Sequence, residues 1–198
     1  VNSTPAGGTR RITAPDLSAN PAPRCACVLC LDVSGSMAGA PIRELNEGVR
    51  TFFAQVAADE FARFSVEPAV VTFGHGDPPV EVVLPFTSQA AGTEPDLPRF
   101  TAGGATPLGR ALETGLALLE EHTACRHREG TACHQPWMVL MTDGRPTDRW
   151  DLQAARVRDL CDARRLVFLG VGVGDGADMN TLAAICPPDR PPQRLRGL

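Results

Sequence analysis

The chain of 198 residues contains no lysine and no tyrosine, and aromatic residues make up only 5% of it. All 19 basic residues are therefore arginine, a bias we ascribe to genomic base composition and not to function. No apolar stretch approaches the roughly 20 residues that a membrane-spanning helix needs, and the N-terminus shows no signal-peptide core. A soluble cytoplasmic protein is the resulting expectation. The formal net charge of -4 removes the electrostatic reason to expect nucleic acid or an anionic membrane as partner. No internal repeat of about 20 to 50 residues is visible, which excludes a solenoid or propeller.

What the chain does have is apolar content, 43%, enough for one substantial core and one domain. Residues 1–17 are rich in Pro, Ser, Thr, Ala and Gly without periodicity and read as a flexible tail; the domain is expected over 18–198. An apolar run over 25–31 predicts a strand. Ile42, Leu45, Val49, Phe52 and Val56 recur at helical spacing behind Pro41, which suits a first turn. Runs over 64–73 and 80–86, joined by a short link containing Gly74 and Gly76, predict an antiparallel hairpin. Leu108, Leu112, Gly115, Leu119 and His122 predict a helix that Thr106 caps, with Pro107 behind it. A strand over 137–141, a helix through Trp150, Ala154, Val157 and Cys161, a strand over 166–173 and a short helix from Met179 to Ile185 complete the pattern. This order places five strands and gives an α/β fold of Rossmann-like form, a mainly parallel sheet with one antiparallel edge strand and helices on both faces. The complete sheet is expected to be six-stranded, its sixth strand not placed by the pattern.

Three short stretches carry the chemistry. The first strand ends at Asp32 and delivers Ser34 and Ser36 at alternate positions; Thr106 precedes a helix; Asp143 in Thr142-Asp-Gly144 ends another apolar run. With the first strand central in the sheet, all three stretches converge beyond the strands' C-terminal ends, where open α/β sheets bind ligands. A hard cation such as Mg2+ wants oxygen ligands, keeps several waters and is usually held by one or two carboxylates. Asp32, Ser34, Ser36, Thr106 and Asp143 supply that set. Helix N-termini near Ala40 and Thr106 oppose a cation with their partial positive charge, and the two aspartates offset it.

The seven cysteines read as free thiols. Cys25 and Cys27 should face one side of the first strand and Cys30 the other, which favours packing over a metal knot. His122, Cys125, His127, Cys133 and His134 crowd a short segment and could include a zinc set, but their spacing matches no standard module, and a solvated loop after the helix is the expectation.

Asp-x-Ser-x-Ser, the loop threonine and Asp-Gly together resemble the metal-ion-dependent adhesion site of von Willebrand factor A domains. The resemblance implies that Ser34, Ser36 and Thr106 ligate directly through hydroxyls while Asp32 and Asp143 act mainly through bound waters. The first shell is then formally neutral, and a partner's Glu or Asp can enter as the last ligand. Mg2+ is the expected ion, with Mn2+ or Ca2+ as alternatives. Further words, among them Gly39-Ala-Pro-Ile-Arg-Glu-Leu-Asn46, Thr142-Asp-Gly-Arg-Pro-Thr-Asp-Arg-Trp150, Ala177-Asp-Met179 and Leu195-Arg-Gly-Leu198, resemble the bacterial TerY-like proteins of tellurite-resistance and stress operons. That resemblance implies a Ser/Thr protein kinase, a PP2C-type phosphatase or another Ter protein as partner. Two departures stand out: Cys133-His134 replaces an aromatic pair, and the sequence stops at Leu198 where the family usually continues into a final amphipathic helix.

Three functions compete. A metal-dependent interaction module is the first reading. A metal-dependent phosphoester hydrolase is the alternative, although Ser34 lies outside any Gly-x-Ser-x-Gly elbow and none of the four histidines falls in the three metal-binding stretches. A nucleotide site at Gly172-x-Gly174-x-x-Ala177 lacks the acidic residue that should follow about 20 positions on. Phosphorylation could act on Thr142, Thr147 or the tail.

Overall fold

In the computed structural model, residues 22–90, 92 and 95–195 are described. The N-terminal stretch 1–17 and the end of the Leu195-Arg-Gly-Leu198 word lie outside them. Strand β1 (Cys25–Asp32) is followed by a 3-10 turn (Gly35–Met37), α1 (Ala40–Ala58), the single turn α2 (Ala62–Ser65), β2 (Val66–Phe73) and β3 (Val80–Leu84). Then come α3 (Leu108–Arg128), β4 (Trp137–Thr142), α4 (Asp151–Asp162), β5 (Val167–Gly172), α5 (Met179–Ile185) and β6 (Gln193–Arg194). The six strands lie in the order β3-β2-β1-β4-β5-β6. Every neighbouring pair is parallel except β2 with β3, so the architecture is the mixed sheet that the pattern predicts.

Strand β1 shows why the sheet is covered on both sides. Ala26, Val28 and Cys30 pack with Leu108, Leu112 and Leu116 of α3, while Cys27, Leu29 and Leu31 pack with Leu45, Val49 and Phe53 of α1. A strand buried on both faces must be a continuous apolar run, and Val28–Leu31 is one. Each of the larger side chains so buried stabilises the fold by about 1.5–3 kcal/mol. Alternation also separates Cys27 from Cys30, and burial pushes both thiols up to about 12. All seven cysteines are free.

Four features differ from the expectation. Thr106 does not cap α3: its helix begins at Leu108, the N-cap position belongs to Pro107, and no side chain of that residue can serve. The helix also runs on past His122 to Arg128 and closes at Gly130, whose φ is +72°, so the segment read as a loop is mostly helix. Phe64 and Ser65 belong to the short turn α2 and not to the start of β2. The sixth strand is Gln193–Arg194, only two residues long, paired with Val171 and Gly172; so short a strand has no hydrophobic period of its own to read.

Among the described residues no helix is long and apolar enough to cross a membrane.

Candidate functional site

β1 sits between β2 and β4, and Leu31 pairs with Met141. Asp32 therefore aligns with Thr142, and Asp143 projects one residue further along the same end of the sheet. Asp32 is fully buried; Ser34, Thr106 and Asp143 are buried too, and Ser36 is exposed. The Asp32 carboxylate is held on both oxygens: Oδ1 accepts from the Ser34 amide at 2.8 Å and Oδ2 from the Thr142 hydroxyl at 2.5 Å. Ser34 Oγ and Ser36 Oγ lie 3.1 Å apart.

Backbone contacts lock the remaining stretch against this one. The Gly35 amide donates to Gly104 O at 3.1 Å and the Gly103 amide to Val33 O at 2.8 Å. The approach is so close that a Cβ on Gly104, whose φ is +75°, would sit 2.1 Å from Gly74 O; glycine is the residue that fits there. The Thr106 hydroxyl makes no hydrogen bond among the described residues, while its amide and carbonyl are both engaged.

Burial pushes the Asp32 carboxyl above its ordinary range despite hydrogen bonds from Ser34 and Thr142, and the nearby Asp143 charge adds to the rise. Asp143 Oδ1 is buried with no hydrogen-bond partner. An unpaired buried carboxylate oxygen is costly, and a cation is the simplest group that would satisfy it while relieving the repulsion between the two aspartates. Two carboxylates with three hydroxyls suit a hard divalent ion. The residues present therefore fit such an ion.

Sequence reasoning missed three neighbours. Thr142 is fully buried and committed to Asp32 and to the Gly144 amide, so it is no accessible acceptor for phosphorylation. His75, assigned to no part of the site, lies against Gly103, where an added Cβ would be 2.4 Å from its Nδ1. Asp148 caps α3 from another segment, accepting from the Gly109 and Arg110 amides at 2.9 and 3.0 Å. The Thr-Asp-Gly-Arg-Pro-Thr-Asp word was visible in the sequence, but its targets were not.

The His/Cys-rich segment does not gather into a site: among the described residues no group of three or more His, Cys, Asp or Glu is placed to hold a metal. His122 Nε2 is 2.7 Å from Glu67 Oε2 and the ring stacks on Phe86, and Cys125 donates to Glu129. In the glycine word near α5, Gly172 lies against Met179 and Ala177, where an added Cβ would clash, and Arg194 bonds to the carbonyls of Gly174 and Asp175.

Topology and site together define a doubly wound α/β domain with an oxygen-rich cluster at the C-terminal end of its central strands. The von Willebrand factor type A domain family model matches residues 27–146, and the chain belongs to that family, whose members often mediate metal-dependent protein-protein interactions. Among solved structures it is similar to proximal thread matrix protein 1 from the mussel byssus (18% identity, TM-score 0.60, covering 90% of this chain and 45% of that one). It is also similar to the manganese-loaded TRAP protein of Plasmodium vivax (20% identity, TM-score 0.53, 85% of this chain and 65% of that one). The SpRpn10 VWA domain aligns over 88% of both chains at 13% identity and a TM-score of 0.54. The chain thus spans less than two thirds of the first two relatives, and identities this low speak for the fold alone. No curated protein sequence matches it.

Proposed function

We propose that the chain is a metal-ion-dependent interaction module, a cytoplasmic adaptor and not a catalyst, in which Asp32, Ser34, Ser36, Thr106 and Asp143 hold Mg2+. The observation that carries this reading is the buried, unpartnered Oδ1 of Asp143 beside a carboxylate already forced upward by burial. When bound, the ion supplies a Lewis-acid position open to a partner's Glu or Asp. Asp32 is fixed by Ser34 and Thr142, so its carboxyl is already oriented and little of its conformational entropy is lost on binding. The two serine hydroxyls stand together at the rim, Ser36 facing solvent. Mn2+ or Ca2+ are alternative ions; the manganese-loaded relative is consistent with the first.

The finer proposal is a TerY-like member of a tellurite-resistance or kinase-phosphatase signalling system, resting on the sequence words quoted above. Its partner would be a Ser/Thr kinase, a PP2C-type phosphatase or another Ter protein. Titration calorimetry with Mg2+ and Mn2+ tests the metal reading: binding by the wild-type chain that Asp143→Ala abolishes supports it, and equal heats for both chains overturn it. Retention of such a partner with Mg2+ but not with EDTA tests the adaptor role.

Phosphoester hydrolysis at the same residues is the competing reading. His75, packed on Gly103, is the base it would enlist, yet Ser34 Oγ is paired with Ser36 Oγ and not with an imidazole. Mg2+-dependent turnover of p-nitrophenyl phosphate, lost in Asp143→Ala, would replace the adaptor with an enzyme.

A further inference from the structure

α3 begins directly behind Thr106, yet nothing of its own caps it. Leu108 donates locally to Thr106 O, but the next two amides, those of Gly109 and Arg110, are satisfied by the segment that follows Asp143. Asp148 Oδ1 accepts from the Gly109 amide at 2.9 Å and Oδ2 from the Arg110 amide at 3.0 Å. One residue earlier, Thr147 brackets Thr106: its Oγ1 accepts from the Thr106 amide at 3.0 Å and its own amide donates to Thr106 O at 2.9 Å. Gly109 makes the approach achievable, since a Cβ there would lie 2.0 Å from Arg149 O. Four hydrogen bonds thus tie the Asp143 segment to the Thr106 segment across a sequence distance of 38 to 41 residues.

We infer that Thr147 and Asp148 are the positioning residues of the metal site, a reading that rests on the proposed metal-binding function and adds the device that holds its two loops in register. Thr106 and Asp143 come from separate loops, and a fixed ion needs their oxygens at a fixed separation. Thr147 clamps the Thr106 backbone on both sides, which leaves only the hydroxyl of that residue free. Asp148 does the capping that a threonine at such a place would otherwise do with its side chain, so the Thr106 hydroxyl is available to the ion. The Asp148 carboxylate also places a negative charge on the α3 amides, whose partial positive charge would repel a cation. Residues that orient ligands in this way typically contribute a factor of about 10–100 to metal affinity.

The test is Mn2+ and Mg2+ affinity by titration calorimetry for the wild-type chain, Thr147→Val, Thr147→Ser, Asp148→Asn and Asp143→Ala, each with thermal unfolding recorded in EDTA. Valine keeps the shape of Thr147 and removes the acceptor; serine restores it. The expected result is a loss of about tenfold or more in affinity for Thr147→Val and Asp148→Asn, with both chains folded in EDTA and Thr147→Ser close to wild type. Folded variants that bind within about twofold of wild type overturn the positioning role while leaving the metal site standing. Variants that no longer fold in EDTA make the clamp purely structural and overturn it as well. A wild-type chain that binds no better than Asp143→Ala fails at the earlier step, the metal reading itself.

Discussion

Thr142 and Asp32 are 110 residues apart in sequence and share a hydrogen bond of 2.5 Å in the interior. The threonine hydroxyl donates to Asp32 Oδ2 and in turn accepts from the Gly144 amide at 2.9 Å. One small side chain therefore joins the ends of β1 and β4 and shapes the turn that carries Asp143. Replacing it with valine keeps the volume but strips one carboxylate oxygen and one amide of their partner. Thr142→Val is expected to lower stability by about 1–3 kcal/mol, measured by urea unfolding in EDTA.

Asp143→Ala should separate stability from function. The substitution removes a buried oxygen that has no partner and a charge that disfavours ionised Asp32. The metal-free variant should unfold at the same temperature as the wild type or above it. Saturating Mg2+, about one hundred times its dissociation constant, should stabilise the wild type by about 2.7 kcal/mol and the variant not at all. Thermal unfolding with Mg2+ and with EDTA reads both.

At the opposite end of the sheet, Glu67 is 3% exposed and contacts both His122, at 2.7 Å, and Arg126, at 2.6 Å. Burial alone would raise its pKa; the hydrogen bonds and charges of those two partners outweigh that and hold the carboxyl below its ordinary 4.5. A depressed folded-state pKa gives stability that is present above the unfolded value and lost as pH falls through the folded one. The wild type should therefore lose stability as the pH drops from about 5 downward. Glu67→Gln should be less stable by about 2 kcal/mol near neutrality and show a flatter acid limb. Denaturant midpoints across the pH range check both slopes.

Cys27 and Cys30 should resist alkylation in the folded chain. Both thiols are buried and pushed up to about 12, which keeps them protonated at pH 8, and the thiolate is the reactive form. Cys25, Cys125, Cys133 and Cys161 are partly exposed and should react first. Iodoacetamide labelling followed by peptide mass spectrometry, native against denatured, gives the order.

The carboxylates and hydroxyls of the candidate site could be proposed from the sequence because each stands at a place with a local signature. Asp32 and Asp143 end apolar runs, and Thr106 precedes a helical period. Alternation likewise sent Cys27 and Cys30 to opposite faces of β1. The cap of α3 was misread for a related reason: Thr106 followed by Pro107 is a sound local cap signal, but Asp148 occupies those amides from 38 and 39 residues away. His122 seemed to end a helical face in the sequence, and its partner Glu67 lies 55 residues earlier on β2.

By itself, then, the sequence located five of the six strands, the four longer helices and the residue types gathered at strand ends, because periods of 2.0 and 3.6 are properties of neighbouring residues. Only the tertiary structure decided that Thr142 supports Asp32, that Thr147 and Asp148 clamp the Thr106 loop, that His75 rests on Gly103, and that Gln193–Arg194 adds a sixth strand. Those contacts depend on strand order and register, which place residues 38 to 110 positions apart within hydrogen-bond reach. No local pattern records the partner across such a distance.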